Sequence, residues 1–165
     1  MLHSSENNDE RVRVALSDEP LDAAEAITFV KSPDAGAVVY FGGTTRDSMD
    51  GKEVVHLAYD AYIALALKTL DRVAREALDK WSKDRNPNKY ISKVSITHRL
   101  GVVPVMQESV VIALSAGHRQ EGWAAGEWIL EQIKALAEIW KDERYADGSH
   151  TWRDNRTDSD MLNKS

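Results

Sequence analysis

At 165 residues, 42% of them hydrophobic, the chain is long enough to bury one core and too short to argue for two. A formal charge of −6 and an isoelectric point near 5.4 argue against general binding to nucleic acid or to an anionic membrane, so any anion site must be a local basic pocket. The absence of cysteine excludes disulfides, thiolate catalysis and Cys-ligated zinc or iron–sulfur clusters.

Residues 1–10 and 154–165 are polar, charged and without apolar periodicity, which predicts disordered tails flanking one domain over 11–153. MLHSSENNDE lacks the basic start and apolar stretch of a secretory signal, and no apolar run approaches the ~20 residues that span a bilayer. A soluble, cytoplasmic protein is therefore expected. VRVAL (12–16) alternates like a short strand. Ser17 and Asp18 then offer N-caps, and Pro20 suits the first turn of a helix running to about Lys31, closed by Pro33. GAVVYFGG (36–43) is predicted as a buried strand opening into the polar loop TTRDSMDGKE, with EVVHLAYDAY (53–62) as the returning strand.

Between Ala61 and about Trp81, Leu65, Leu70, Val73, Ala77 and Leu78 recur at helical spacing, and DRNPNK breaks the pattern. KVSITHRLG (93–101) and ESVVIALSAG (108–117) are two further strands joined by a loop around Pro104. The second runs into a long helix on which Trp128 or Ile129, Ile133, Leu136 and Trp140 mark an apolar stripe. Strands and helices interleave but hairpin-like neighbours are present, which predicts an α+β layered domain with a mixed or antiparallel sheet and two long helices.

Several basic residues invite a functional reading. Lys134 and Lys141 are seven residues apart, which on one helix returns the side chain to within about 20° of its starting direction, roughly 10.5 Å along the axis. Both follow an apolar stripe residue, where lysines also commonly lay their stems on the core and keep the charge in water. Arg46, in GGTTRD, stands just beyond a predicted strand where glycines can present backbone N–H groups to an anion. SAGHR (115–119) delivers His118 and Arg119 to the start of a helix, whose unpaired N–H groups favour a phosphate; His118 could equally cap or pack at the turn. The His-Arg pair in HRLG (98–101) reads as mainly structural. His3, His56 and His150 show no metal-ligand spacing, and no Walker loop, GxGxxG or GxSxG is present. Of the five tryptophans, Trp123, Trp128 and Trp140 suit core or subunit contacts better than stacking on a heterocycle.

FGGTTRD, the LAYDAY strand, HRLG, SAGHR and IKALAEIWKDE followed by DGSHTW occur in an order that resembles the large, catalytic subunit of molybdopterin synthase over about residues 12–153. The resemblance implies an α/β hammerhead-type fold and a homodimer of large subunits with a small ubiquitin-like partner docked at each end, a heterotetramer. The partner's C-terminal Gly-Gly carries a thiocarboxylate that donates sulfur to cyclic pyranopterin monophosphate, and two transfers create the dithiolene of molybdopterin. No metal or other cofactor is implied. The resemblance assigns Lys134 and Lys141 to catalysis and tail binding, with Arg46, His118 and Arg119 gripping substrate anions. It also accounts for a sulfur-transfer enzyme without cysteine, since the sulfur arrives already activated on the partner.

This chain departs from the family pattern in two places. Glu138 stands where a proline usually precedes the aromatic residue and lysine, and Asp142 stands where a second basic residue is common. Without the proline the helix is expected to run on, with Asp142 or Glu138 competing for the charge of Lys141. Two alternatives stay open on sequence: a non-catalytic scaffold for a ubiquitin-like tail, and a lysine enzyme forming a Schiff base.

Overall fold

The computed structural model describes residues 1–5 and 9–154. Its first sheet begins inside the segment expected to be a disordered tail: strand β1 (Leu2–Ser4) pairs antiparallel with β2 (Val12–Ser17). An open edge of β2 presents unpaired backbone groups, and the N-terminal residues satisfy them. The Asp18 N–H reaches the Met1 carbonyl at 3.1 Å, and the terminal ammonium lies 3.4 Å from the Asp18 carboxylate. The segment 155–165, the other expected tail, lies outside the described residues, and Asp154 closes a strand rather than opening that tail.

The first sheet runs β1-β2-β6-β8-β3, with β6 (Ile91–Arg99), β8 (Glu108–Ala116) and β3 (Ala37–Thr44). Only β2 and β6 are parallel, so the sheet is mixed, as expected for an α+β chain. Helix α1 (Ala23–Val30) covers one face through Ala26 and Val30 on Val111 and Ala113. Helices α2 (Ile63–Lys80) and α3 (Arg119–Leu136) cover the other, on Val14, Ile96, Ile112 and Leu114. Alternate residues of β8 thus feed two different cores, which is why this strand is apolar throughout. The cap of α1 is Asp22, whose Oδ1 accepts from the Glu25 N–H at 2.9 Å, not Ser17 or Asp18. Ser17 is buried at the end of β2, where its hydroxyl accepts from the Glu19 N–H.

Strand β3 is an edge strand, not a buried one: Val39 is buried while Val38 and Phe41 are exposed. Nor does the next strand return beside it. β5 (Lys52–Ala61) enters a second sheet, ordered β10-β9-β5-β4, with β4 (Ser48–Met49), β9 (Ile139–Tyr145) and β10 (His150–Asp154). β4 and β5 form a hairpin around Asp50 and Gly51, both at positive φ, the geometry a two-residue Asp-Gly turn adopts. The segment around Pro104, expected as a loop, is strand β7 (Gly101–Pro104), paired with β5.

The last helix also ends earlier than expected. α3 stops at Leu136; the Ala137 N–H still bonds the Ile133 carbonyl, but Ala137 is extended at φ −70°, ψ 134°. From Ile139 the chain is β9, hydrogen-bonded to β5 on one side and β10 on the other. Pairing on both edges, with Ile139 fully buried, overrides the helical periodicity and makes a proline unnecessary. Among the described residues no helix is long and apolar enough to cross a membrane.

Where α3 crosses β3, Gly122 and Gly126 both face Val39. A methyl at Gly122 would lie 2.9 Å from Val39 Cγ2, whereas one at Gly126 would meet only ordinary contacts at 3.5 and 3.7 Å. Gly122→Ala is therefore expected to destabilise the protein by about 1 kcal/mol or more through overpacking. Gly126→Ala should stabilise it by about 0.5–1 kcal/mol through helix propensity. Urea unfolding of the two variants checks the opposite signs.

Candidate functional site

The end of β3 is fixed by Thr45, which is buried. Its N–H bonds the Gln107 carbonyl at 3.0 Å, and its hydroxyl donates to the Val103 carbonyl at 3.2 Å. Arg46 follows as an exposed side chain at the rim of a cavity of about 480 Å³. Lys134, from the last turn of α3, and Lys141, from β9, line the same cavity. The two lysines thus meet from a helix and a strand, not from successive turns of one helix. Tyr59, His98 and Ser109 add polar groups, and Phe41, Leu130 and Ile133 form an apolar wall. Gly42 and Gly43 line it from within the β3–β8 ladder rather than from a loose loop.

His118 and Arg119 are elsewhere. They line a separate cleft with Gln120 and Trp123 at the start of α3. His118 is the extended N-cap residue, but its side chain makes no capping hydrogen bond. An apolar groove lies between the two sites along α3 and β3, sharing Phe41 and Leu130 with the lysine-lined cavity and Trp123 with the cleft. Trp123 is exposed, while Trp128 packs edge-to-face on Trp81 with ring centroids 5.8 Å apart.

Lys141 is placed by sheet register. It stands between Tyr59 of β5 and Arg153 of β10 in one cross-strand row. Its carboxylate partner is neither Asp142 nor Glu138 but Glu143, two residues along the same strand face, at 3.3 Å. Asp142 points to the opposite face, where it pairs with Arg144 at 2.7 Å and His150 at 3.0 Å. Glu143 is fully buried. It also accepts from the Tyr145 hydroxyl at 2.6 Å and lies 3.3 Å from Arg153 Nε. The Lys141 contact is an ion pair of close approach rather than a directed hydrogen bond, since Glu143 Oε1 has no hydrogen-bond partner. The Tyr145 hydroxyl, donating to an anion, is held above its ordinary pKa.

The His-Arg pair of HRLG divides. Arg99 is structural, bonding Gln107 Oε1 at 2.6 Å from a buried position. His98, its neighbour, lines the cavity. The residue is 3% exposed, its Nδ1 lies 2.8 Å from the Arg99 carbonyl, and Tyr59 meets the ring edge-on. Burial pushes its pKa down to about 4, because the imidazolium would be stripped of water.

Two stability measurements follow from these groups. Removing a fully buried carboxylate that faces two cations, as in Glu143→Leu, is expected to cost about 3–5 kcal/mol, with Glu143→Gln less severe. Denaturant unfolding reads both. For His98 the folded state resists protonation more than the unfolded chain. Its contribution is fully present above the unfolded pKa near 6.5 and is lost as pH falls toward the folded value of about 4. Melting temperature should therefore fall between pH 7 and 4.5 more steeply in the native protein than in His98→Asn.

Comparisons with known proteins place the chain in a family. A model of the MoaE protein family matches residues 16–136, a span that includes Arg46, His118, Arg119 and Lys134 and stops short of Lys141. The molybdopterin synthase catalytic subunit of Aspergillus clavatus is 46% identical over 145 residues, covering 88% of this chain and 69% of that one. That of Pyrenophora tritici-repentis is 47% identical over 145 residues, covering 88% and 76%. Among solved structures, molybdopterin synthase from Staphylococcus aureus superposes with a TM-score of 0.73 at 31% identity, over 84% of this chain and 94% of that one. A complex of subunits 1 and 2 of the molybdopterin-converting factor from Helicobacter pylori shares the fold, with a TM-score of 0.66 at 21% identity over 87% and 91%. With the family model matching most of the chain and relatives above 40% identity spanning nearly all of it, the chain belongs to the MoaE protein family.

Proposed function

We infer that this chain is the catalytic subunit of a molybdopterin synthase. It takes sulfur from the thiocarboxylated C-terminus of a small sulfur-carrier subunit and places it on cyclic pyranopterin monophosphate, as a homodimer within a heterotetramer. The observation that carries the reading is the convergence of Arg46, Lys134 and Lys141 on one cavity in an acidic, cysteine-free chain of this family. Such a chain holds no sulfur nucleophile of its own, so the sulfur must enter on another molecule.

The chemistry then distributes among the cations. A thiocarboxylate sulfur adds to an electrophilic carbonyl carbon of the pterin and forms a carbon–sulfur bond; the C=O π pair passes to oxygen, which is protonated and leaves as water with a proton from the adjacent carbon. Water next adds to the thioester carbonyl and the acyl carbon–sulfur bond breaks; the sulfur stays on the pterin and the partner leaves as a carboxylate. Lys134, on the rigid end of α3, is proposed as the acid/base group that moves protons in these steps. Lys141 is proposed to stabilise the oxyanion formed when water adds. Its pairing with Glu143 supports that role, because a buried carboxylate partner fixes the direction of the ammonium. Arg46 offers a planar fork to a phosphate or carboxylate at the rim. His118 and Arg119 are proposed to grip a second anion at the far end of the apolar groove.

The test is dithiolene formation from cyclic pyranopterin monophosphate with a thiocarboxylated small partner. The native chain is expected to convert it, and Lys134→Ala to lower turnover by about 10²-fold or more while partner binding persists. Partner binding without conversion by the native chain would instead establish a scaffold.

A further inference from the structure

The three cations of the cavity can only donate hydrogen bonds, since neither guanidinium nor ammonium has a lone pair to offer. His98 differs. Its Nδ1 lies 2.8 Å from the Arg99 carbonyl oxygen, a group that can only accept, so the ring proton sits on Nδ1 and Nε2 carries the lone pair. The edge-to-face contact with Tyr59, centroids 4.9 Å apart, fixes the ring plane. Among the described residues nothing hydrogen-bonds Nε2, yet it is not one of the buried polar atoms sealed without a partner. A lone pair thus opens on a cavity whose charged walls are all donors.

We propose that His98 is a substrate-binding residue whose Nε2 accepts a hydrogen bond from a ring N–H of the bicyclic pterin, while the cations hold the anions of substrate and partner. The proposal rests on the synthase reading above and deepens it. Charged donors alone would take any phosphate or carboxylate of suitable size. An acceptor at a fixed position selects for a heterocycle that bears an N–H there, because a ligand without one leaves the imidazole lone pair unpaired in a desolvated site. Burial keeps the ring neutral, with a pKa of about 4, so the acceptor is available throughout the neutral range and its contribution should not change with pH there.

Two variants separate this role from packing. His98→Asn keeps a donor for the Arg99 carbonyl and lacks the Nε2 acceptor; His98→Gln can place its amide oxygen where Nε2 stood. In the intact enzyme with thiocarboxylated partner, His98→Asn is expected to raise KM for the pterin substrate about tenfold to a hundredfold, equally at pH 6.5 and 8.5. Its kcat should fall far less and its affinity for the partner should be unchanged. His98→Gln is expected to recover most of that loss. Native KM in His98→Asn, or equal losses in both variants with parallel drops in melting temperature, would overturn the proposal. Either result leaves the synthase reading intact as long as the native chain forms dithiolene, whereas failure of the native chain removes both.

Discussion

The arrangement depends on a change of conformation over three residues. At Ala137 a helix that lies on the first sheet ends, and at Ile139 a strand of the second sheet begins. The Tyr62 N–H donates to the Glu138 carbonyl at 3.3 Å, which ties this junction to the one between β5 and α2. Both junctions therefore meet where the two sheets join. A helix carries a side chain forward 1.5 Å per residue and a strand about 3.3 Å, with different angular steps. Lys134 and Lys141 can share a cavity only because the chain changes from one regime to the other between them. The apolar anchors Ile133 and Ile139, both buried, flank the change and fix its position.

The electrostatics follow from the strand half of this device. A net-negative chain concentrates Arg46, Lys134 and Lys141 around one cavity, and the resulting repulsion needs an internal counter-charge. Glu143 supplies it from beneath, facing Lys141 and Arg153 while the Tyr145 hydroxyl satisfies one of its oxygens. A buried carboxylate is a weak source of net stability and a strong source of geometry. Here the geometry is the direction of the Lys141 ammonium. Among the described residues Arg46 has no comparable carboxylate at the rim; its neighbour is the Met49 sulfur at 4.0 Å, which leaves its charge directed at solvent and at whatever enters.

Much of this was legible in the sequence, and the rest fails for identifiable reasons. Alternation in VRVAL and the apolar run of ESVVIALSAG mark β2 and β8, because burial on one or two faces writes itself directly into residue type. The helix through Leu70, Val73 and Ala77 is equally plain. Apolar content misled for β3, whose exposed Val38 and Phe41 belong to an edge strand bordering a groove. Periodicity misled past Leu136, where long-range pairing with β5 and β10 decides the conformation and no local signal reports it. Resemblance brought Arg46, Lys134 and Lys141 to notice together. Glu143 carries no sequence signal of its own and His98 reads only as structural, because each acts through a neighbour fixed only by tertiary structure: the strand-face partner of a lysine, and the carbonyl that sets a ring tautomer. Glu143 leaves a faint trace, since an i, i+2 Lys-Glu pair on a strand lies on one face, but that signal appears only once IWKDERY is taken as a strand and not as helix.

The pairing of β5 with β9 joins residues 54–61 to residues 139–145, across roughly half of the chain. Closing so long a loop carries an entropic penalty before any contact rewards it, a penalty shared by the equally distant β2–β6 pairing of the first sheet, so what sets β5–β9 apart is that β9 lies later in the chain. On a ribosome the first sheet has β2, β3, β6 and β8 available well before β9 emerges. Until then Lys134 has no Lys141 opposite it, and β5 keeps one edge bare. The cavity lined by Lys134 and Lys141 is thus complete only once β9 has emerged, and an interrupted chain carries the strands of the first sheet with none of the completed charge arrangement.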